Sequence, residues 1–260
     1  GDGVPELVTA PGRSHTPDIR VFDVTSGAEL TQYRFQAYDA SFNGGVYVAV
    51  GDVDGDGRND IIASAGRGPS NVRVFRNNIV ANPSAPFTGA PYREFSPFGT
   101  EFIGGATVAA ADFTGDGKSE VIVGSGTGMR STVRIYNVSA NATSYTPLRQ
   151  MLPFDAEFRG GVFVSAGRIN GDGVPDVIVT QGPSGDARVE LFNGLSGASL
   201  VNFDGYTDAS STSPIRGAGV DLDGDGTIER IVTSQGPDGR TNLIRRFTTD
   251  GTLVDQREET

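Results

Sequence analysis

The stretch Asp52-Val53-Asp54-Gly55-Asp56-Gly57-Arg58-Asn59-Asp60 returns farther along the chain as Asp221-Leu222-Asp223-Gly224-Asp225-Gly226-Thr227-Ile228-Glu229. The shared form is Asp-x-Asp-Gly-Asp-Gly-x-x-Asp/Glu. In such a loop the carboxylates at positions 1, 3, 5 and 9 can converge on one centre, and the backbone carbonyl at position 7 adds another oxygen. A set of hard oxygens alone suits Ca²⁺, which takes about six to eight of them at roughly 2.3–2.6 Å. The glycines permit the positive φ of a tight wrap. An EF-hand opens similarly but requires a Glu at position 12 and flanking helices, whereas an apolar strand follows each loop here.

Aligned on the Gly-Asp-Gly core, five copies start at Gly1, Gly55, Gly115, Gly171 and Gly224, at intervals of 54, 60, 56 and 53 residues. Periods of this length holding several short strands predict propeller blades rather than a helical solenoid. The flanking sequence repeats in phase. Phe42-Asn43-Gly44-Gly45-Val46-Tyr47-Val48 is answered by Phe102-Ile103-Gly104-Gly105-Ala106-Thr107-Val108 and Phe158-Arg159-Gly160-Gly161-Val162-Phe163-Val164. Each loop is followed by an apolar strand such as Asp60-Ile61-Ile62-Ala63 or Asp176-Val177-Ile178-Val179.

A third strand with period-two alternation comes next, as in Val72-Arg73-Val74-Phe75 and Val189-Glu190-Leu191-Phe192. Turns such as Ser26-Gly27, Ser196-Gly197 and Asp250-Gly251 then lead to a fourth strand, exemplified by Glu29–Phe35. Each unit thus reads as a four-stranded meander. Its two inner strands are expected to be covered on both faces by neighbouring blades, with the charges on the outer two.

The Phe-x-Gly-Gly segment, the acidic Gly-rich loop and the Asp-Ile-Ile strand together resemble the FG-GAP repeats of integrin α-chains and of bacterial secreted proteins. The resemblance covers essentially all 260 residues. It implies an all-β chain forming one β-propeller domain over residues 1–260, with about five four-stranded blades and calcium loops between strands one and two. The first blade is expected to lack its inner strand, because its loop begins at Gly1; Thr252–Glu258 is expected to supply the outer strand of the fifth. The ring is then continued by upstream sequence, left open, or paired with another molecule through the open edge.

The copies differ in their donors. The second offers Asp52, Asp54, Asp56 and Asp60, and the fifth Asp221, Asp223, Asp225 and Glu229. The third keeps Asp112, Asp116 and Glu120 but has Thr114 at position 3. The fourth has Asn170, Asp172 and Asp176, with Arg168 at position 1, where a guanidinium is expected to replace the ion by an internal salt bridge. The first contributes only Asp2 and Glu6. Calcium in these loops is expected to be structural, since clustered carboxylates repel one another without a cation.

Glycine makes up 37 of 260 residues and falls in these turns, so it marks punctuation rather than disorder. With no cysteine a disulfide framework is excluded, and bound metal is the expected staple. The formal charge of −11 disfavours non-specific nucleic-acid binding. No apolar run long enough for a transmembrane helix and no leader-like segment occurs, so the residues read as a mature domain outside the cytoplasm, where calcium is abundant.

Catalytic signals are weak. His15, the single histidine, reads as a solvated turn residue, and Gly124-Ser125-Gly126-Thr127-Gly128 lies between strands rather than at a helix N-terminus. The expectation is therefore a secreted or surface-bound binding or adhesion module for an extracellular glycan or protein. A purely architectural module and a polysaccharide-acting enzyme domain are the alternatives. The recognition loops would be Arg13–Thr16, Arg67–Asn71, Met129–Ser131, Ser184–Asp186 and Asp238–Thr241, opposite the metal loops.

Overall fold

A computed structural model describes residues 5–139, 145–206, 214–235 and 242–259. The backbone forms five antiparallel sheets in chain order. The first holds β1 (Glu6–Thr9), β2 (Asp18–Asp23) and β3 (Phe35–Gln36). The second is β4 (Val46–Gly51), β5 (Asp60–Ala65), β6 (Val72–Phe75) and β7 (Arg93–Phe95). The third is β8 (Ala106–Ala111), β9 (Glu120–Ser125), β10 (Val133–Tyr136) and β11 (Arg149–Met151). β12 (Val162–Gly167), β13 (Asp176–Gln181), β14 (Arg188–Phe192) and β15 (Ser199–Asp204) make the fourth. The last holds β16 (Ile215–Val220), β17 (Arg230–Gln235), β18 (Asn242–Thr248) and β19 (Leu253–Glu259). Each sheet pairs strands in sequence order, the meander that the repeat predicts, and the first has three described strands.

The chain is a five-bladed β-propeller. Its core lies between blades, not within them. One apolar cluster joins Ile19, Phe35 and Val21 of the first sheet to Val46, Ile61 and Phe75 of the second. Others join the second to the third through Val74 and Val121, the third to the fourth through Ile135 and Val177, and the fourth to the fifth through Leu191 and Ile231. Among the described residues no buried apolar cluster joins the fifth sheet to the first.

Burial departs from the expected pattern in one respect. The second strands β5, β9 and β13 are buried at every residue, whereas the innermost β4 and β12 are only partly so. The innermost strands pack side chains toward both neighbouring blades, Val46 and Val48 of β4 to one side and Tyr47 and Ala49 to the other, and their partial exposure comes from the channel along their free edge. The predicted fourth strand Glu29–Phe35 is also corrected. After a single bridge from Phe22 to Glu29, the chain turns through a 3₁₀ segment at Thr31–Tyr33, closed by hydrogen bonds from the N–H of Tyr33 and Arg34 to the carbonyls of Leu30 and Thr31. This turn delivers the Phe35 ring into the core, 4.7 Å from Phe75 and 5.3 Å from Phe87 between centroids.

The paired glycines that precede the inner strands have a steric cause. A Cβ on Gly104 would lie 2.1 Å from the carbonyl oxygen of Thr127, and one on Gly160 would lie 1.9 Å from that of Pro183, both in the turn of the same blade. The second glycine of each pair faces the preceding blade. Gly105 has φ +78° and its Cβ would come within 2.4 Å of the Gly66 carbonyl oxygen. The first glycine therefore closes its own blade, and the second lets two blades approach.

Candidate metal centres

The acidic loops connect first to second strands and lie together on one face of the ring. Their conformation is fixed by the carboxylates themselves. At position 1, Asp221 accepts hydrogen bonds from the N–H of Gly224 (2.6 Å) and Gly226 (2.8 Å). Asp52 does the same with Gly55 and Gly57, and Asp112 with Gly115 and Gly117. At position 5, Asp56, Asp116, Asp172 and Asp225 each accept from the N–H two residues on. These Asx-type turns require the glycines at positions 4 and 6 to adopt positive φ, +82° and +88° in the last loop.

Position 9 plays a part that spacing does not reveal. Asp60, Glu120, Asp176 and Glu229 each accept a hydrogen bond from the backbone N–H at position 2, from Val53, Phe113, Ile169 and Leu222 respectively. Asp60 also accepts from Asn77 N–H, Glu120 from the Asn137 side-chain amide, and Asp176 from Gly194 N–H. Burial is the largest influence on the first three and raises their pKa values, that of Asp60 to about 6. Asp221 is pushed the other way, chiefly by the Gly226 N–H that stabilises its anion.

The fifth loop brings Asp221, Asp223, Asp225 and Glu229 together, each offering an oxygen within 4.8 Å of the others. This is the donor set of a calcium site. In the second loop Asp52, Asp54 and Asp56 converge in the same way, and Asp60 is drawn beneath them into its backbone contacts. Two of these carboxylates have cationic partners that the motif does not announce. Arg58 pairs with Asp56, and Arg76, stacked 4.2 Å from the centre of the Tyr92 ring, pairs with Asp54.

The remaining loops are less complete. In the third, Asp112, Asp116 and Glu120 are not gathered into such a cluster, and the Thr114 hydroxyl donates to Glu120 at 3.4 Å. In the fourth, Arg168 forms no internal salt bridge among the described residues, which corrects the expectation. Its guanidinium instead lies toward Gly226 of the next loop, and its carbonyl accepts Ile228 N–H at 2.7 Å. Asp172 is held by the Asn193 amide, and Asn170 donates to Asp176. Asp2 lies outside the described residues, and Glu6 is exposed at the start of β1.

Five antiparallel meanders, four of them four-stranded with an acidic loop between the first and second strands, define a β-propeller of repeat type. The FG-GAP-like repeat family matches residues 52–123 and the FG-GAP repeat family residues 104–143, so the stretch 52–143 is similar to FG-GAP repeats. Curated proteins show no significant match. Among solved structures, the exotype rhamnogalacturonan lyase YesX superposes with a TM-score of 0.50 at 13% identity, over 99% of this chain and 55% of the lyase. A protein of unknown function from Desulfotomaculum acetoxidans also gives 0.50, at 18% identity over 98% of this chain and 68% of the other. These likenesses bear on the fold; the chain spans about half the length of the lyase.

Proposed function

We propose that this chain is a calcium-stapled propeller that acts outside the cell as a binding module, not as an enzyme. The observation that carries the metal assignment is the fifth loop, where four carboxylates converge with no cationic side chain paired to them among the described residues. The second loop takes calcium more weakly, because the ion must displace Arg58 and Arg76 from Asp56 and Asp54. An ion in either place ties an innermost strand to the second strand of its blade.

The recognition surface is the opposite face. Arg13 and Arg67 are exposed there, and His15 sits exposed in the same turn as Arg13. Residues 238–241 lie outside the described ones. No described helix is long and apolar enough to cross a membrane. Secretion is supported by the donor set, since loops of this kind load at the calcium levels found outside cells.

The test is a melting curve with and without chelator. With a dissociation constant of about 0.1 mM and about 1 mM free calcium, each site adds about 1.4 kcal/mol. Two sites then raise the melting temperature by roughly 5–10 °C. Asp225→Ala, in the tighter fifth loop, should remove more than half of that rise, and Asp172→Ala should leave it intact. A chelator-insensitive curve rejects the calcium assignment.

A further inference from the structure

The channel mouth on the face opposite the acidic loops holds a cavity of about 660 Å³, within the size range of small-ligand pockets. Strand register explains what lines it. Tyr47, Thr107, Phe163 and Arg216 are the second residues of β4, β8, β12 and β16, and they pair with Ser64, Gly124, Thr180 and Ser234. They are therefore equivalent positions of four blades, and all four line the cavity, with Thr107 buried and donating its hydroxyl to the Val162 carbonyl. A repeat would be satisfied by four similar residues, yet here it carries a phenol, a hydroxyl, a phenyl ring and a guanidinium.

Three of the four meet across the axis. The Tyr47 and Phe163 rings pack edge to face, 5.8 Å apart at 74°. The Arg216 guanidinium carbon lies 5.1 Å from the Phe163 centroid and 5.8 Å from that of Tyr47. Arg216 is exposed and has neither a hydrogen bond nor a carboxylate partner among the described residues. That is notable in a chain with 32 Asp and Glu against 21 Lys and Arg. Among the described residues the cavity lining contains Arg13 and Arg216 and no acidic side chain. Asp155, Glu157 and Asp186 belong to a separate groove alongside.

We infer that this mouth binds a saccharide bearing a carboxylate, with Arg216 receiving the acid group and the Tyr47 and Phe163 rings supporting the sugar ring. The guanidinium is held over aromatic faces with its N–H groups free, which suits a carboxylate. The rest of the wall is rich in glycine backbone. The carbonyls of the lining residues Gly45 and Gly161 accept the N–H groups of Gly66 and Gly182 at 2.8 and 2.9 Å, and each keeps a second lone pair. Such a wall accepts hydrogen bonds from several hydroxyls, which a saccharide has and an aromatic acid lacks. The inference rests on the binding-module reading and names its ligand class; it does not depend on calcium.

Saturation-transfer NMR on the whole chain, with methyl β-glucuronide, methyl β-glucoside and benzoate as probes, tests the assignment. The glucuronide is expected to bind and to weaken as salt is raised, with little transfer to the glucoside. Arg216→Ala should weaken it at least tenfold, Phe163→Leu should reduce transfer to the ring protons, and Arg216→Lys should retain part of the binding. Equal binding of the glucoside, binding of benzoate alone, indifference to Arg216→Ala, or no glucuronide binding overturns the proposal. Calcium-dependent melting of the same variants separates the two readings. An intact calcium rise without glucuronide binding rejects this site alone, and glucuronide binding without a calcium rise rejects the metal assignment alone.

Discussion

Single carboxylates in the acidic loops divide their labour. Those at positions 1 and 5 mostly accept N–H groups within the loop, while position 9 reaches under it to the N–H at position 2. Asp176 shows the second role without a complete metal set, since it accepts from Ile169, Asn170 and Gly194. Asp176→Asn turns one acceptor into an amide donor facing N–H groups, at a cost of about 1–3 kcal/mol. The loss should be the same with calcium or chelator, as measured by denaturant unfolding. The buried acids also set a pH trend. Asp60, Glu120 and Asp176 have folded pKa values above the ordinary carboxylate range, so the native state keeps their protons longer than the unfolded chain. Stability gained from that retention is present at low pH and is lost as pH rises through the folded pKa values, about 6 for Asp60. The metal-free chain should therefore melt higher at pH 5 than at pH 7, and saturating calcium should flatten or invert the difference.

Among the elements, the glycine pair before each inner strand decides how closely blades sit. Gly105→Ala meets both a positive φ and a neighbouring backbone oxygen, so it should cost about 3 kcal/mol or more. Gly171, with φ +77° and nothing within 4 Å of a Cβ, should lose only about 1–2 kcal/mol as alanine. Urea unfolding of the two variants compares a steric clash with backbone preference alone. Aromatic pairs flank the same segment: Tyr38 with Phe42, Phe98 with Phe102 and Phe154 with Phe158 have centroids 4.9, 5.8 and 6.0 Å apart. The Tyr38 hydroxyl also donates to the carbonyls of Ala63 and Asn71, anchoring this linker to the blade it introduces.

For the molecule as a whole, the apolar clusters run in series from the first sheet to the fifth. Among the described residues, each interior blade is held on two sides and each terminal blade on one. β9 and β13 are buried throughout, whereas β17 is only partly buried and β1 begins with exposed Glu6 and Leu7. In an architecture where neighbours stabilise neighbours, opening should begin at the ends. Amide hydrogen exchange is expected to be slowest in β9 and β13 and fastest, among second strands, in β1 and β17. Uniform protection of all five second strands would show that the first and fifth blades are joined as firmly as the rest.

The order of strands, the placement of the acidic loops and the candidate ligands Asp221, Asp223, Asp225 and Glu229 were legible in the sequence, because loop geometry and strand pairing are local and each repeat restates them. The departures were non-local. The pairings of Arg58 and Arg76 with loop carboxylates, the turn of Arg168 toward the next loop and the 3₁₀ turn before Phe35 depend on which neighbours a side chain meets once blades are packed. Tyr47, Phe163 and Arg216 stand far apart along the chain, and the alternation of a strand places each of them toward one face. Their meeting is a property of the ring alone, since closure of the blades around an axis is what brings equivalent positions of different repeats within contact distance.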